Sequence, residues 1–225
     1  MAPGKIPAIS LFGLVLATAA APLIITFYAY AFPGTLTNWV VVSRELLILL
    51  AAAALILLIL KGEKRQLTSI GLHNKHWGKS VLRSLLLMAA CILAGLGCLL
   101  ALNAMGISFG QGGEAQRYDH ISLWAISLMV IRAGVVEELF YRGYIMERLE
   151  EFSGRWLVYF LLPAIVFGLL HFRQGIGGIL ISFVLGLILA WFYWKTRDLK
   201  ANILAHFLVD FIPNVIVPLV EGQMA

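Results

Sequence analysis

Long apolar runs are the feature that most restricts how this chain folds. No charged side chain occurs between Lys5 and Arg44, and the run LLILLAAAALILLIL ends at residue 60. Such runs are typical of transmembrane helices, because about 20 apolar residues cross the hydrocarbon core of a bilayer. The whole chain agrees, since 61% of its residues are hydrophobic and 13% are charged. The sequence therefore predicts an integral membrane protein.

The predicted fold is all-α, a polytopic membrane helix bundle of about seven to eight transmembrane helices. Residues 1–225 are expected to form a single integral membrane domain, with an interfacial loop or short surface helix at 61–80. An eighth, short or re-entrant segment would lie at 103–119 or 172–178. The first span resembles a signal peptide at ATAAA, but its one lysine is a poor n-region and we expect it to stay uncleaved. The predicted spans cover residues 8–30, 38–60, 81–102, 121–147, 156–171, 176–194 and 201–220.

The distribution of Lys and Arg predicts the orientation of these spans, because basic residues concentrate in cytoplasmic loops. With a cytoplasmic N-terminus, twelve basic residues fall in inside loops, while Arg117 and Arg173 fall outside. The formal charge of +5 is therefore attributed to cytoplasmic loops, and no nucleic-acid partner is expected. The small size and short loops suit a multi-pass protein of a prokaryotic plasma (inner) membrane. The inside set is Lys5, Lys61, Lys64, Arg65, Lys75, Lys79, Arg83, Arg148, Arg155, Lys195, Arg197 and Lys200.

The predicted span at 121–147 carries Arg132, Glu137, Glu138 and Arg142. Each charge at membrane depth costs roughly 2.5–3.5 kcal/mol on insertion scales. Glu138 and Arg142 are four residues apart on one helix face, which predicts an ion pair. Glu137 is rotated by about 100° from Glu138 and is left for another partner. A purely structural network that anchors neighbouring helices is the alternative to a functional role.

Two further polar sites lie in apolar surroundings. His171 follows Phe167 by one turn at the end of a short span, where a lone histidine is usually an interfacial side chain. Asn202, His206 and Asp210 recur every four residues and predict a polar stripe facing the bundle interior. These groups would meet Glu137 in a small wet cavity opening toward the cytoplasmic half. Counting helical rise places His206 nearer the cytosol than His171, so a kink or a displaced helix end is required.

These residue types suit attack of water on an acyl carbon. A carboxylate beside a histidine can hold and deprotonate water, and a second histidine can donate to the developing oxyanion. The same two imidazoles and carboxylates could instead bind Zn²⁺ and leave a position for water. The chain has neither the His-Glu-x-x-His nor the Gly-x-Ser-x-Gly motif, so the usual zinc-helix and serine-hydrolase signatures are absent.

Three motifs in this order resemble the signature of a known family. Glu137-Glu138-x-x-x-Arg142, Phe167-x-x-x-His171 and His206-x-x-x-Asp210 are similar to those of the CAAX protease and bacteriocin-processing (CPBP, or Abi) intramembrane proteases. TSIGLHNKHW at 68–77 also resembles the loop that precedes the site-bearing spans in that family. The similarity covers roughly residues 60–215 and implies a catalytic motif-bearing core at 121–215.

The resemblance implies roles for the motif residues. Glu137 would be the carboxylate that activates water, with His171 as its partner on the water. His206 and Asp210 would polarise the substrate carbonyl or bind metal, and Glu138 and Arg142 would hold the first motif in shape. Many relatives have Asn at the position of Asp210, and the acid here favours a metal ligand or proton carrier over a neutral oxyanion donor. The candidate ligands of a divalent metal such as zinc are Glu137, His171, His206 and Asp210.

The resulting expectation is an intramembrane endopeptidase that hydrolyses a peptide bond in a lipidated or hydrophobic peptide. Its partners would be that substrate and the lipid bilayer. A non-catalytic membrane immunity or scaffold protein is the first alternative. An ion-coupled transporter would also use intramembrane Glu, His and Asp, but transporters tend to have two related halves. Here the first hundred residues offer only Arg44 and Glu45.

Overall fold

A computed structural model of the chain describes residues 6–34, 36–73, 76–107, 118 and 120–220. Throughout these residues the regular structure is helical, with turns and short extended connections between the helices. The α-helices are α1 (Ala8–Ala31), α2 (Asn38–Leu57), α3 (Trp77–Ala104), α4 (Leu123–Arg132), α5 (Glu147–Ser153), α6 (Leu162–Leu169), α7 (Gly175–Thr196), α8 (Leu199–Phe211) and α9 (Val217–Val220).

Segments of π-helix extend or join several of these α-helices. Leu58–Gly62 continues α2, Leu157–Leu161 leads into α6, and Ile212–Ile216 joins α8 to α9. Ala133–Glu137 and Leu139–Met146 connect α4 to α5 on either side of Glu138. Because a π-turn closes its hydrogen bonds over five residues instead of four, it rotates the side chains that follow. The directions of Glu137 and Glu138 therefore differ from those on a regular α-helix.

The all-helical membrane bundle is confirmed, but the count of seven to eight spans is not. Among the described residues, five helices are long and apolar enough to cross a membrane: Ala8–Ala31, Asn38–Gly62, Trp77–Ala104, Phe172–Thr196 and Leu199–Val220. Leu157–Leu169 is apolar but shorter. The predicted span at 121–147 lies in the run from α4 to α5, whose several charges make it the most polar of the predicted spans.

The predicted connections differ from the structure in two places. Residues 61–80 contain a short 3₁₀ turn at Leu67–Ile70, and α3 begins within this stretch at Trp77. Residues 172–178 form no separate re-entrant segment, because the 3₁₀ turn Phe172–Gln174 leads directly into α7. The other proposed position of an eighth segment, 103–119, falls mostly outside the described residues.

The two ends of the bundle are fixed by contacts between helix ends. At the first end, Arg83 at the start of α3 pairs with Asp198, 3.0 Å away at the start of α8. Because Lys and Arg gather there, we call it the basic end. At the opposite end, the start of α2 meets the start of α4, where Asn38 Nδ2 donates to Ser122 Oγ at 2.8 Å. The basic end carries Lys61, Lys64, Arg65, Lys79, Arg83, Arg148, Arg155, Lys195, Arg197 and Lys200.

A close approach of two helices positions the polar residues of the bundle interior. A Cβ atom at Gly134 would lie 2.9 Å from the backbone nitrogen of Phe207. Real Cβ atoms essentially never come that close to a backbone atom, so a side chain at this position would push α8 away. The glycine thus brings the segment Ala133–Glu137 against the part of α8 that carries His206.

A buried ion cluster ties α1, the end of α2 and α5 together at the basic end. The Glu63 carboxylate accepts from Arg148 Nη2 at 2.6 Å, from Tyr144 Oη at 2.8 Å and from Ser10 Oγ at 2.7 Å. Burial raises the pKa of the Glu63 carboxyl, but these hydrogen bonds outweigh it and hold the pKa below its ordinary value. The ionised carboxylate therefore stabilises the folded chain.

We expect Glu63→Gln to lower the stability of the purified protein by about 3 kcal/mol, because it leaves the fully buried Arg148 guanidinium with only a 3.5 Å contact to the more exposed Glu151. Thermal unfolding in detergent measures this loss. The stabilisation exists above the pKa of the unfolded glutamate, about 4.3, and disappears as the pH falls through the lower folded pKa. The difference between wild type and variant should therefore shrink on acidification.

The matched control is Glu150→Gln, because Glu150 pairs with Arg197 instead of Arg148 and its side chain is 32% exposed. An exposed pair contributes about 0–1 kcal/mol. If both variants lose the same stability, the buried cluster is not what holds this end of the bundle together.

Candidate active site

Glu138 is the centre of the polar interior. Its carboxylate is fully buried, and it accepts from Arg142 Nη1 at 2.5 Å. It also contacts His206 Nδ1 at 2.8 Å and accepts from Asn202 Nδ2 at 3.1 Å. The ion pair expected from the four-residue spacing is present, and two side chains of the α8 stripe join it. Arg142 Nη2 also donates to the carbonyl of Gly186 at 3.1 Å, which links the pair to α7.

Glu137 points away from Glu138 and has a different partner. Its Oε1 atom accepts from Arg132 Nη1 at 3.0 Å. Arg132 also donates to Glu45 on α2, and Glu45 accepts from Arg44 Nε at 2.7 Å. Arg44 in turn donates to the Tyr118 hydroxyl at 3.0 Å. Opposite charges thus alternate from Arg44 through Glu45 and Arg132 to Glu137.

Arg44 and Glu45 were not among the predicted site residues. Both are buried, and Glu45 is completely inaccessible to solvent. The signal was present in the sequence, because two charged residues interrupt an apolar span of the kind that normally excludes them. Their partner Arg132 is far away in the sequence, and only the packing of α2 against α4 brings them together.

His206 lies between carboxylates on both sides of its ring. Nδ1 faces Glu138, and because a carboxylate only accepts, this nitrogen carries a proton. Nε2 is 3.4 Å from Asp210 Oδ2 and 4.0 Å from Glu137 Oε2. Glu138 therefore fixes the orientation of the ring through Nδ1, while Nε2 faces Asp210 and Glu137.

His171 reaches the same region from the turn between α6 and α7. Its Nδ1 atom is 2.7 Å from the Phe167 carbonyl, so Nδ1 carries the proton and Nε2 is the acceptor in the neutral ring. The Phe167 ring packs against both histidines, with centroid distances of 4.8 Å to His171 and 6.0 Å to His206. The Arg142 guanidinium lies 4.6 Å from the centre of the same ring. Phe167 thus packs against both histidines and against Arg142.

A cavity of about 680 Å³ contains the predicted site residues. Glu137, His171, His206 and Asp210 all line it. Its other lining residues include Arg173, Gln174 and Asn214, which lie near the end of the bundle opposite the basic loops. The cavity was predicted to open toward the half with those basic loops, and this was wrong. His206 and Asp210 lie in the second half of α8, which runs toward the other end, and His171 lies in the turn that precedes α7 at that end.

His171 and His206 lie at different depths along the bundle axis, and no kink is needed for both to reach the cavity. α6 ends at Leu169 and places His171 toward the opposite end of the bundle, whereas His206 lies in the third turn of α8. Both side chains line the cavity.

The same four residues were the predicted ligands of a zinc ion. Within the part of the chain that the structure describes, no group of three or more His, Cys, Asp or Glu side chains is arranged to hold a metal ion. His206 Nδ1 is already engaged by Glu138, and Glu137 Oε1 by Arg132. These contacts leave His206 Nε2, Glu137 Oε2 and Asp210 Oδ2 facing one another, and the metal-dependent alternative stays a prediction.

Comparisons with known proteins agree with the motifs. A family model described as "Type II CAAX prenyl endopeptidase Rce1-like" matches residues 119–212. Neither the curated proteins nor the solved structures gave a match. The matched residues include all three motifs and the helices that carry them. Residues 119–212 thus match an Rce1-like domain, and this match confirms the resemblance of the chain to the CAAX protease and bacteriocin-processing family of intramembrane proteases.

Proposed function

We propose that the protein is an intramembrane endopeptidase that hydrolyses a peptide bond in a lipidated or hydrophobic peptide. Glu137 and His171 activate the attacking water. The observation that carries this proposal is the convergence of Glu137, His171 and His206 on one cavity from separate helices. The match to a prenyl endopeptidase family supports the reaction class.

The gap between Glu137 and His206 suits a nucleophilic water. Glu137 Oε2 and His206 Nε2 are 4.0 Å apart, which is too long for a direct hydrogen bond but suitable for one bridging water. Arg132 holds the other oxygen of Glu137 at 3.0 Å, so Oε2 is the oxygen that faces the water. The acceptor Nε2 of His171 supplies a second site for a water hydrogen from across the cavity.

Hydrolysis then proceeds by general base and general acid steps. Glu137 takes one proton as the water oxygen bonds to the acyl carbon. A protonated Nε2 of His206 donates to the oxyanion, while Glu138 holds the other side of the ring. Glu137 returns its proton to the leaving amine as the carbon–nitrogen bond breaks. The products are a carboxylic acid and an amine, and the acid then passes its proton to the amine, which gives a carboxylate and an ammonium group.

Asp210 occupies the outer side of His206. Its side chain is 35% exposed, and its Oδ2 atom is 3.4 Å from Nε2. A substrate carbonyl competes with this carboxylate for the Nε2 proton. The acid is thus placed to carry a proton between His206 and the water in the cavity.

Removing the charge of Glu137 should abolish turnover. We expect Glu137→Gln to lower kcat by roughly 10²–10⁴-fold, the usual contribution of a general base. Proteomics of membrane and secreted peptides from cells with wild type or variant would identify the substrate, and kcat would then be measured on that peptide.

Glu151→Gln serves as the matched control, because it removes the same charge at the basic end, outside the cavity. Full turnover by folded Glu137→Gln would refute the assigned role. A variant that still rescues the phenotype of a deletion would favour the scaffold alternative.

Glu45 is expected to act as a positioning residue through Arg132. In Glu45→Gln, Arg132 loses one of its two carboxylates and is free to swing toward Glu137. We expect kcat per folded molecule to fall at least about tenfold with KM nearly unchanged, the pattern of a lost transition-state interaction. Glu45→Asp, which keeps the charge, should recover part of the loss. An unchanged kcat with reduced thermal stability would restrict Glu45 to a structural role.

A chelator distinguishes water activation by Glu137 and His171 from water activation by a bound metal ion. We expect EDTA or phenanthroline to leave turnover of the purified enzyme unchanged, because the carboxylate and histidine arrangement suffices for the proposed steps. Loss of activity that added Zn²⁺ restores would instead establish the metal-dependent alternative. Dialysis into metal-free buffer, followed by metal analysis of the protein, is the control for incomplete chelation.

A further inference from the structure

The catalytic cavity and the basic loops lie at opposite ends of the bundle. From this we propose that the cavity opens on the non-cytoplasmic side of the membrane. Its substrate is then an exported or membrane-anchored peptide whose scissile bond lies in the outer half of the bilayer. This inference rests on the proposed endopeptidase function and specifies which peptides can reach the site.

Charge fixes which end faces the cytoplasm. In multi-pass proteins, Lys and Arg near the span ends concentrate on the cytoplasmic side. Within the described residues, the basic end carries Lys79, Arg83 and Arg155 among many others, whereas Arg173 is the basic residue in the turn between α6 and α7. Arg44, Arg132 and Arg142 are buried in ion pairs within the bundle and do not contribute to either surface.

The depth of the cavity can be measured along α7. Its lining extends from Gln174, just before this helix, to Leu189. Fifteen residues of helix rise roughly 22 Å, compared with a hydrocarbon core of about 30 Å. Roughly 10 Å of helix remains between Leu189 and the basic end of α7. A peptide reaches His206 most directly from the side of the α6–α7 turn.

Packed side chains close the basic end beneath the cavity. Tyr193, one turn beyond Leu189, is completely buried, and its hydroxyl donates to Glu147 at 2.7 Å. Arg197 also pairs with Glu147, at 2.6 Å. The buried pair of Arg148 with Glu63 lies at the same end. A cytoplasmic peptide would have to disrupt these ion pairs to enter.

The lining of the cavity suits an apolar peptide segment that enters from the outer side. Ile126, Met129 and Leu185 provide apolar walls, while Arg173 and Asn214 border the mouth. Apolar walls bind side chains or a lipid, and polar groups at the mouth can accept the peptide backbone. The site would therefore bind a hydrophobic stretch and cleave close to where it leaves the membrane.

Side-specific cysteine labelling tests the orientation without requiring activity. The two natural thiols, Cys91 and Cys98, are free and would be replaced by serine. Gln174→Cys and Asn214→Cys mark the mouth, and Lys64→Cys and Lys79→Cys mark the basic end. A membrane-impermeant maleimide should label the mouth cysteines in intact spheroplasts, and the basic-end cysteines only after lysis.

The reverse labelling pattern would overturn this inference while leaving the hydrolase proposal intact. The two positions at each end guard against a single misfolded variant, and size-exclusion chromatography confirms that each variant is folded.

Peptides that accumulate in cells with Glu137→Gln provide the second test. We expect the bonds that the wild-type enzyme cleaves in these peptides to lie on the non-cytoplasmic side of a hydrophobic segment. Sites on cytoplasmic tails would contradict the inference, whereas no difference in peptides would contradict the proposed function itself.

Discussion

The interaction on which the site depends is the contact of one buried carboxylate with three partners. Glu138 accepts from Arg142, Asn202 and His206, and so joins the motif-bearing helix between α4 and α5 to α8. Removing one partner of a buried charge typically costs about 3–5 kcal/mol, because the remaining charge is left uncompensated. Because loss of the His206 contact would leave the buried Glu138 charge less well compensated, the His206 ring is held in a single orientation. The same ion pair that makes the helix costly to insert therefore makes the site rigid.

Two neighbouring glutamates have different surroundings, and this separates their roles. Glu138 is fully buried and surrounded by donors, whereas the Glu137 side chain is 20% exposed and borders the cavity. Arg132 satisfies one oxygen of Glu137 and leaves the other toward His206. The first carboxylate is thus suited to holding a histidine and the second to exchanging a proton with water. The chain from Arg44 to Arg132 extends this arrangement to α2, beyond the region that matches the family model.

The cavity and the charge distribution together determine which molecules can reach the site. Basic residues and packed ion pairs occupy one end, while the cavity runs from mid-bundle to the other. A hydrolase built in this way would keep Glu137 and His206 inside the bundle, in a cavity that reaches the end opposite the basic loops. Water and peptide would then approach by the same path. This arrangement would restrict cleavage to segments that can extend into the cavity from that side.

Much of this protein followed from the sequence alone, because hydropathy and motif spacing are local properties. Apolar runs predicted an all-helical membrane protein, and the four-residue spacing predicted the pair of Glu138 with Arg142 and the inward-facing positions of Asn202 and His206. Long-range packing decided the rest. The π-helical turns beside Glu138 set side-chain directions that a regular helix would not. The partnership of Glu45 with Arg132 joins residues far apart in the chain. The direction of the cavity depends on which helix halves meet, and no local spacing contains that information.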